Sequence, residues 1–349
     1  MQVSNPDILI NLQDYDIDQL LCQRTFIADF LAKDRKHGRE VVLKNLYRYN
    51  EHAEDLTEKE SFFRNICRFS EFDFPGIVKI FGVRFPLTED EKREQPQLIQ
   101  EFQLPTGGTG EFDFSGFLYI SEYMPNGHLE TLTKDYIHNY GVSRLLNPTV
   151  RSKILFGVAA TMKRLHEMDF FHGNLELSNI FLDENVEPRI ADFQVSHLFG
   201  YQKYDVSGPG PFLIPGCEFI WEIAIPPEVI RYDVSSFNKK SDVYTYGFLI
   251  YTMFVDKLMF GRKKSIYSSQ KYVLSIDRGK RPIRSAAIPD KYWDLINMCW
   301  QQKPEYRPTF EQITRLLRSD DYAIEEFGQQ TDLNALHEYW DRIDPVDNQ

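Results

Sequence analysis

Residues 171–181 read Phe-His-Gly-Asn-Leu-Glu-Leu-Ser-Asn-Ile-Phe, and residues 190–194 read Ile-Ala-Asp-Phe-Gln. In the first stretch a histidine stands five residues before a Leu-Ser-Asn ending. The second stretch contains the pair Asp192-Phe193, and the residues between the two stretches are enough for a strand, a turn and a second strand. A lone Asp-Phe pair is more often just the end of a strand, so the weight of both stretches depends on what flanks them.

Further short motifs lie on both sides of these stretches. They are Val41–Lys44 upstream and, downstream, Pro226–Glu228, Ser241–Gly247, Cys299-Trp300 and Pro304–Thr309. Each piece is common alone, but the whole set in a single order along the chain forms a specific pattern. This pattern decides the fold more firmly than composition does.

Composition places the chain among ordinary soluble globular proteins. It has 349 residues, of which 42% are hydrophobic and 26% are charged, which suffices for two lobes or one large domain. The longest nearly uncharged apolar stretch, Tyr246–Val255, is far shorter than the ~20 residues that span a bilayer. Residues 1–10 lack the basic start and the long apolar run of a secretory signal. The sequence therefore predicts no membrane segment.

Charge and cysteine content restrict the partners and the compartment. The formal net charge is -12, and an acidic surface disfavours contact with nucleic acid or anionic lipid. A zinc site or a disulfide framework is not expected, because no Cys-x-x-Cys pair occurs among the widely spaced Cys22, Cys67, Cys217 and Cys299. We therefore expect a cytoplasmic protein whose partners are other proteins.

The first part of the chain alternates short β-rich runs with turn signals. Residues 26–32 and 40–46 predict a hairpin around a charged turn. The capping-box pattern Thr57–Glu60 predicts a helix whose apolar positions continue to Phe69. Residues 86–116 are polar and glycine-rich, and we interpret them as a long mobile insertion between two strands.

After a strand that begins at Phe117, the sequence is typical of a mainly helical region. Asn147-Pro148 starts a helix with one buried stripe formed by Ile154, Val158, Met162 and Leu165. Two more apolar helices are predicted over residues 242–254 and 292–300. From Asp320 onward the chain holds nine acidic residues and one arginine, which predicts a solvated or loosely packed tail with a short helix over residues 335–340.

The ordered motifs resemble those of the protein kinase superfamily, particularly its tyrosine-kinase-like branch. The resemblance implies an α+β fold of two lobes, in which a small β-rich lobe carries one helix and a larger lobe is helical. It also implies domain boundaries: an N-terminal extension over 1–14, the small lobe over 15–123 with the insertion 86–116, the large lobe over 124–318, and the acidic tail over 319–349.

The resemblance assigns nucleotide and metal roles to several retained positions. Lys44 matches the lysine that pairs with phosphates, and Asn179 and Asp192 match the two magnesium ligands. The resemblance also implies an adenine slot. Ser121 lies at the back of this slot, and its small side chain leaves room behind it. The other positions of this slot are Asp29 and Val42 above the base, Phe181 below it, and Glu122 and Met124 in the strand that links the lobes.

Other matching positions are structural in the family. The resemblance implies a buried ion pair between Glu228 and Arg307 that fixes the lower lobe. It also implies a stack that joins the two lobes in a closed arrangement, formed by Phe69, Ile80, His172, Phe193 and Asp242.

The sequence departs from the family where phosphoryl transfer needs its chemistry. Asn174 stands at the position of the aspartate that accepts the substrate proton, and an amide cannot be that base. Glu176 stands at the position of a lysine, which inverts the charge beside the transferring phosphoryl group. Trp221 replaces the threonine that joins those two. The joint loss of one hydrogen-bonded unit indicates lost catalysis.

The nucleotide slot departs from the family as well. The three glycines of the phosphate-covering loop fall at Cys22, Arg24 and Ile27, although glycine is what lets backbone amides approach phosphate oxygens. Asp29 places a carboxylate where a valine would cover adenine, which carries a desolvation penalty. Phe181 narrows the slot from below.

Two roles stay open for Lys44. The position of its usual helix partner falls at Asn65, and Glu60 lies about 140° around the helix from that position. Lys44 either retains phosphate binding, with magnesium at Asp192, or pairs with Asp192 inside a closed cleft and stabilises the lobes without a ligand.

Gly173 and Gln194 bear on regulation. Gly173 replaces the arginine that would grip a phosphate on the activation loop, and Gln194 replaces the glycine after Phe193. Switching by phosphorylation of that loop is therefore not expected.

Three functions follow from these departures. The sequence favours a catalytically impaired pseudokinase that acts as a signalling scaffold or allosteric regulator. The first alternative is a divergent active ATP-dependent serine/threonine protein kinase, with Glu176 as the nearby candidate base. The second is a regulatory module that binds ATP with Mg²⁺ weakly and does not consume it.

Overall fold

The computed structural model describes the chain over residues 9–23, 27–46, 65–104, 107–173, 175–193, 225–231, 236–255 and 275–345. Among the helices in these ranges, none combines the length and the apolar character that a bilayer span requires. The described residues form a smaller part built on a β-sheet and a larger part that is mainly helical. The predicted α+β fold of two lobes is therefore confirmed.

The small lobe is built on a five-stranded antiparallel sheet. In spatial order its strands are β1 (Tyr15–Gln23), β2 (Ala28–Asp34), β3 (Arg39–Leu46), β7 (Phe117–Glu122) and β4 (Ile80–Arg84). The predicted hairpin is confirmed as the antiparallel pair of β2 and β3. Its turn is fixed by Asp34, whose carboxylate accepts the backbone N–H of Lys36 and of His37 at 3.0 Å each.

The predicted helix after Thr57 lies largely outside the described residues. Its described end, residues 65–69, is helical and buries Ile66 and Phe69. These two side chains belong to the main apolar core, together with residues of the large lobe.

Residues 86–116 lie between two paired strands, β4 and β7, as predicted, but carry regular structure that the sequence did not predict. This segment contains helix α1 (Glu89–Glu94), a 3-10 turn (Pro96–Leu98) and an antiparallel hairpin of β5 (Ile99–Gln103) and β6 (Thr109–Asp113). Phe102 and Phe112 of this hairpin lie against Phe30 of the main sheet, with ring centroids 4.7 and 5.1 Å from it. One apolar face is enough to hold a hairpin onto a sheet, even when its composition is polar.

The large lobe consists of helices around one core, with short strands inserted. The helices are α2 (Leu129–His138), α3 (Pro148–Glu167), α4 (Pro227–Arg231), α5 (Lys239–Phe254), α6 (Asp290–Cys299), α7 (Phe310–Leu317) and α8 (Leu333–Ile343). The inserted strands form two antiparallel pairs, β8 (Ile180–Leu182) with β9 (Pro188–Ile190) and β10 (Glu325–Glu326) with β11 (Gln329–Gln330). The 3-10 turns of this lobe span Leu177–Asn179, Pro304–Tyr306 and Asp320–Tyr322. Another 3-10 turn, Leu12–Asp14, directly precedes β1.

The three predicted helices of this lobe are confirmed as α3, α5 and α6. Helix α3 begins as expected, because the Asn147 side chain accepts the backbone N–H of Val150 at 3.0 Å and Pro148 occupies the first turn. The predicted stripe is fully buried, with 0% exposure at Ile154, Val158, Met162 and Leu165.

The short helix predicted in the acidic tail is confirmed as α8, but the expectation of loose packing was wrong. Helix α8 packs on α3 and buries Leu336, Tyr339 and Trp340. The contact is close at Gly157, where an added Cβ would lie 2.1 Å from the Tyr339 Oη atom. Leu336, Tyr339 and Trp340 lie three and four residues apart along one face of α8, and the partly buried Ile343 extends that face, so the acidic residues occupy the outer surface.

Candidate functional site

The cleft between the lobes contains a buried cluster of charges centred on Lys44 of β3. Its Nζ atom lies 2.6 Å from Asp192 Oδ1 and 3.3 Å from Asp29 Oδ2. The three residues are 3%, 6% and 7% exposed, in the order Lys44, Asp192 and Asp29. The predicted alternative of a Lys44–Asp192 pair is therefore present in the structure, with Asp29 as an additional partner.

The strand pairing explains why these groups meet. Asp29 of β2 lies directly opposite Lys44 of β3 in the antiparallel register, so both side chains lie on one face of the sheet. Asp192 follows β9, which is tied to the small lobe by the Ile190 N–H donating to Gly76 O at 2.7 Å and by the Val78 N–H donating to Ile190 O at 2.8 Å. The cleft is thus bridged by backbone hydrogen bonds as well as by the ion pair.

Tyr119 completes the cluster and was missed by the sequence analysis. Its Oη donates a hydrogen bond to Asp192 Oδ1 at 2.8 Å. Tyr119 lies opposite Lys44 in the pairing of β3 with β7, two residues before Ser121. That spacing is the signal that could have identified it, because alternate residues of a strand point to the same face.

Asp192 itself has an unusual backbone conformation. Its φ angle is +58°, in the left-handed region that non-glycine residues seldom adopt, although aspartate tolerates it better than most. The carboxylate is held in this position by Lys44 and Tyr119, both on one oxygen. The local geometry is therefore fixed by side-chain contacts from the small lobe.

A cavity of about 620 Å³ opens beside this cluster. Its lining includes all of the predicted nucleotide-slot residues, namely Asp29, Val42, Lys44, Ser121, Glu122, Met124 and Phe181. The cavity continues beyond the slot into a groove between α2 and α5, past Ile137 and Leu249. The sequence analysis did not anticipate that extension.

The expectation of free room behind Ser121 was wrong. The space there is about 10 Å³, barely enough for one water molecule. It is lined by Tyr119, Ile80 and Phe69, among other residues. Tyr119 lies two residues before Ser121 on β7, and both residues line this space.

The charges that line the cavity are predominantly negative. Within the described ranges the lining holds four carboxylates and two ammonium groups, which are Asp29, Glu122, Glu130, Glu176, Lys44 and Lys134. Lys134 is paired with Glu130 at 2.8 Å, and Lys44 is paired with the buried carboxylates described above. An anionic ligand entering this cavity would therefore meet net negative charge.

The two predicted magnesium ligands lie close together. Asn179 ends the 3-10 turn before β8 and is fully buried, and its carbonyl oxygen accepts the Ala191 N–H at 2.9 Å. This bond places Asn179 beside the Ala191-Asp192 peptide. The oxygen chemistry of the two side chains suits Mg²⁺. Asp192 Oδ1, however, already accepts from Lys44 and Tyr119, so a metal ion would have to share that oxygen or use Oδ2.

The structure describes only some of the residues at which the sequence departs from the family. Glu176 lines the cavity, and its carboxylate accepts the Ser178 hydroxyl. Cys22 also lines the cavity, whereas Ile27 is buried in the core. The predicted roles of Asn174, Trp221, Arg24, Gln194 and Glu60 concern positions outside the described residues.

The predicted stack that joins the lobes is assembled. The rings of Phe69 and Phe193 have centroids 3.9 Å apart, and those of Phe193 and His172 are 4.6 Å apart. Ile80 belongs to the same buried core. Asp242 holds the chain at His172 by accepting the backbone N–H of His172 and of Gly173 at 2.8 Å each.

The His172 imidazole is completely enclosed. Its Nε2 atom lies 2.9 Å from the carbonyl oxygen of Ala191. Burial lowers the pKa of His172, since a charged imidazole would lose its hydration there. A second histidine, His166, places Nε2 2.9 Å from Asp242 Oδ2, a contact that the sequence analysis missed.

The predicted buried ion pair of the large lobe is present. Arg307 makes a bidentate contact with Glu228, at 2.6 Å to Oε1 and 2.7 Å to Oε2. Ser241 donates to the same carboxylate at 2.8 Å, and Arg307 also donates to the carbonyl of Lys240 at 2.9 Å. The pair is thus fully hydrogen-bonded, which is the condition under which buried charges are tolerated.

Comparison with known proteins identifies the family. The family model for protein tyrosine and serine/threonine kinases matches residues 111–317. A Dictyostelium discoideum protein named "Probable serine/threonine-protein kinase" is 24% identical over 91% of this chain and 20% of its own length. Serine/threonine-protein kinase 12 of Arabidopsis thaliana is 30% identical over 58% of this chain and 41% of its own length.

A receptor gives a similar result. Ephrin type-A receptor 3 of Danio rerio is 26% identical over 80% of this chain and 23% of its own length. The chain thus spans between 20% and 41% of the length of these relatives. With the family model covering more than half of its residues, the chain belongs to the protein tyrosine and serine/threonine kinase family.

Proposed function

We propose that this chain is a pseudokinase of the tyrosine-kinase-like branch that does not transfer phosphate and acts as a cytoplasmic signalling scaffold or allosteric regulator. The observation that carries the proposal is the cluster in which Lys44 is held between Asp192 and Asp29. Its protein partners contact the outer surface, and nucleic acid is not among them, because the net charge is -12.

The first support is electrostatic. Two carboxylates on one ammonium leave the cluster with a net negative charge, so Lys44 offers little attraction to a phosphate. Two like charges about 4 Å apart repel by roughly 4 kcal/mol where the effective dielectric constant is about 20. A nucleotide phosphate would have to displace Asp29 from Lys44 before it could bind.

The second support is chemical. Phosphoryl transfer relies on positioning and on positive charge at the transferring group. Glu176 lines the cavity with a carboxylate in place of the lysine expected there. Asn174 in place of the catalytic aspartate removes general-base assistance, which contributes roughly 10²- to 10⁴-fold. These two losses act on the same step and reinforce each other.

The branch assignment rests on sequence. The motif Cys299-Trp300 with Pro304–Thr309 is typical of the tyrosine-kinase-like branch. Similarity to serine/threonine kinases and to an ephrin receptor in comparable measure is what a chain of that branch would give.

A second candidate is a regulatory module that binds nucleotide without turnover. The observation in its favour is the 620 Å³ cavity, which is lined by every predicted residue of the nucleotide slot. In this candidate ATP with Mg²⁺ would compete with Asp29 for Lys44 and set the angle between the lobes. Stabilisation by such a ligand would grow with concentration as RT ln(1 + [L]/Kd).

The test is a phosphotransfer assay with labelled ATP, in Mg²⁺ and in Mn²⁺, on the purified chain and on general protein substrates. We expect no incorporation above that of Lys44→Ala and Asp192→Ala. Incorporation that both substitutions abolish would overturn the proposal. If Glu176→Ala also abolished it, the active kinase with Glu176 as base would be the correct function. Arg315→Ala removes an exposed ion pair on α7 and is the matched control.

A further inference from the structure

The last part of the chain contacts the strand pair that leads into the cleft. At Gly157 of α3, an added Cβ would lie 2.1 Å from the Tyr339 Oη atom and 2.8 Å from the Pro188 Cγ atom. Tyr339 of α8 and Pro188 of β9 therefore meet at the same point of α3. Three residues further along α8, Arg342 forms an ion pair with Glu187, which directly precedes β9. Helix α8 thus contacts the turn between β8 and β9 as well as α3.

One carboxylate, that of Asp183, organises the turn that α8 contacts. It accepts the backbone N–H of Asn185 at 2.9 Å and of Glu187 at 3.0 Å, and the Arg189 guanidinium at 2.9 Å. The Asp183 N–H in turn donates to the Glu187 carbonyl oxygen at 3.0 Å. A displacement of Glu187 would therefore break hydrogen bonds at Asp183.

The same turn is joined to the segment that links the two lobes. The Asn126 side chain donates to the Asp183 carbonyl oxygen at 2.6 Å, and the Leu182 N–H donates to the Gly127 carbonyl oxygen at 3.0 Å. Asn126 and Gly127 lie between β7, the last strand of the small lobe, and α2 of the large lobe. The contacts of the tail thus continue, through the turn, to this linking segment.

The other end of the strand pair reaches the cleft. Asn179 directly precedes β8, Asp192 lies two residues after β9, and the Ala191 N–H donates to the Asn179 carbonyl oxygen at 2.9 Å. Phe181 of β8 lines the cavity. Each strand is three residues long, which corresponds to a span of about 10 Å. The turn and the cleft cluster are therefore at the two ends of one short hydrogen-bonded unit.

The tail strap, which we define as residues 324–344, is anchored to α3 on both sides of its contact with the turn. Near its start, Glu326 forms an ion pair with the fully buried Arg151, with 2.5 Å between Oε1 and Nε. At its end, Asp344 Oδ1 lies 2.9 Å from Lys163 Nζ. Because both anchors are on α3, the tail strap holds the β8–β9 turn against that helix.

From these contacts we propose that the tail strap sets the position of the β8–β9 pair and, through it, of the Lys44–Asp192 pair in the cleft. The two states of this device are the tail strap docked on α3 and the tail strap released. A protein partner with an apolar groove that accepts the buried face of α8 would favour the released state and change the cleft. The proposal rests on the allosteric role proposed above and names the element through which a partner acts.

The test is native-state hydrogen exchange on the full chain, with single amides followed by NMR. Arg342→Ala removes the contact of α8 with Glu187. The neighbouring Asp341→Asn is the matched control, because its ion pair joins α8 to Arg318, which directly follows α7, instead of to the turn. Each variant thus loses one ion pair of the same helix, and only one of the two pairs leads to the cleft.

We expect the amides of Ile190 and Ala191 to exchange about threefold to fivefold faster in Arg342→Ala, which is the change that a partly exposed ion pair carries. Amides in the core of α5 report global unfolding and should change less. In Asp341→Asn the two amides should exchange as in wild type. Unchanged rates in Arg342→Ala, or an equal rise in Asp341→Asn, would overturn the proposal.

A double-mutant cycle in urea is the second measurement. Without coupling, Arg342→Ala and Lys44→Met should multiply in their effects on the unfolding equilibrium constant. If the tail strap sets the position of the Lys44–Asp192 pair, the combined effect should be about threefold smaller than that product, because Arg342 has less to position once the pair is lost. Strictly multiplicative effects would overturn the proposal. ATP enters neither readout, so failure of the proposal is distinguishable from failure of the proposed pseudokinase function.

Discussion

The base of the large lobe and the cleft both bury charged side chains, but the charges balance in only one of them. Arg307 meets one carboxylate, Glu228, through two hydrogen bonds, and Ser241 satisfies the same group. Lys44 meets two carboxylates, Asp29 and Asp192, beside a cavity with further acidic lining. The first arrangement keeps what the fold needs, whereas under the proposed function the second no longer suits phosphate binding.

The difference indicates which constraints act on the two regions. The pair at Arg307 is at most 8% exposed on either side chain, and breaking it would leave a charge without water. The cleft cluster borders a 620 Å³ cavity and serves a ligand in the family, so it can change without loss of the fold. Under the proposed function, contacts inside the chain take the place of a ligand contact.

The largest expected effect comes from breaking the balanced pair. Arg307→Ala should lower the free energy of unfolding by about 3–5 kcal/mol, because it leaves the Glu228 carboxylate buried without its partner. Urea denaturation followed by circular dichroism measures this. The exposed control Arg315→Ala should cost no more than about 0.5 kcal/mol. If Arg307→Ala lowered the free energy of unfolding by less than about 1 kcal/mol, the pair would not stabilise the large lobe.

A smaller loss is expected in the cleft, because Asp29 borders the cavity, where water can reach it, and Tyr119 still donates to Asp192. Lys44→Met keeps most of the side-chain volume but removes the ammonium between two buried carboxylates, and should cost about 2–3 kcal/mol in the same denaturation experiment. Lys79→Met is the control, because its pair with Asp73 is exposed. If Lys44→Met left stability unchanged or raised it, the cluster would not join the lobes, and the comparison with Arg307 would collapse.

Acid should weaken the stack between the lobes. Burial lowers the pKa of His172, so the unfolded chain binds a proton below about pH 6.5 that the folded chain does not. Stability is therefore full above that pH and falls below it, by up to about 1.4 kcal/mol per pH unit. Denaturation curves from pH 8 to pH 5 should show a flatter dependence for His172→Gln. An identical slope in the variant would contradict the assignment.

The smallest effect on stability is expected from removing the Tyr119 hydroxyl. Tyr119→Phe removes one hydrogen bond to Asp192 and should cost about 1 kcal/mol, or about 2–4 °C in melting temperature. In the Lys44→Met background the cost should differ, because both groups share Asp192 Oδ1. Strict additivity of the two substitutions would mean that Tyr119 does not belong to the cluster.

Sequence patterns were sufficient where apolar spacing and motif order were clear. The buried stripe of α3, the β2–β3 hairpin and the Glu228–Arg307 pair could all be predicted from the sequence. The hairpin at Phe102 and Phe112 and the close packing of the predicted tail helix at Tyr339 could not, because polar and acidic neighbours dominate the composition of those segments. In both cases a few apolar residues on one face outweigh the polar majority.

The site was predictable in part for a related reason. Motif positions identify Lys44 and Asp192, but which groups surround them depends on strand register. Asp29 and Tyr119 both meet the cluster because they lie opposite Lys44 on its two neighbouring strands. A register is a property of pairing between distant segments, and a single sequence does not state it.

The central claim is that Asp29 and Asp192 hold Lys44 in place of a nucleotide. The most direct measurement is thermal melting in millimolar ATP, with and without Mg²⁺, for wild type, Asp29→Val and Lys44→Ala. The account predicts no shift for wild type and a shift of a few degrees for Asp29→Val, which leaves Asp192 as the one carboxylate of the cluster and lowers the repulsion of a phosphate. A magnesium-dependent shift in wild type that Lys44→Ala abolishes would contradict it.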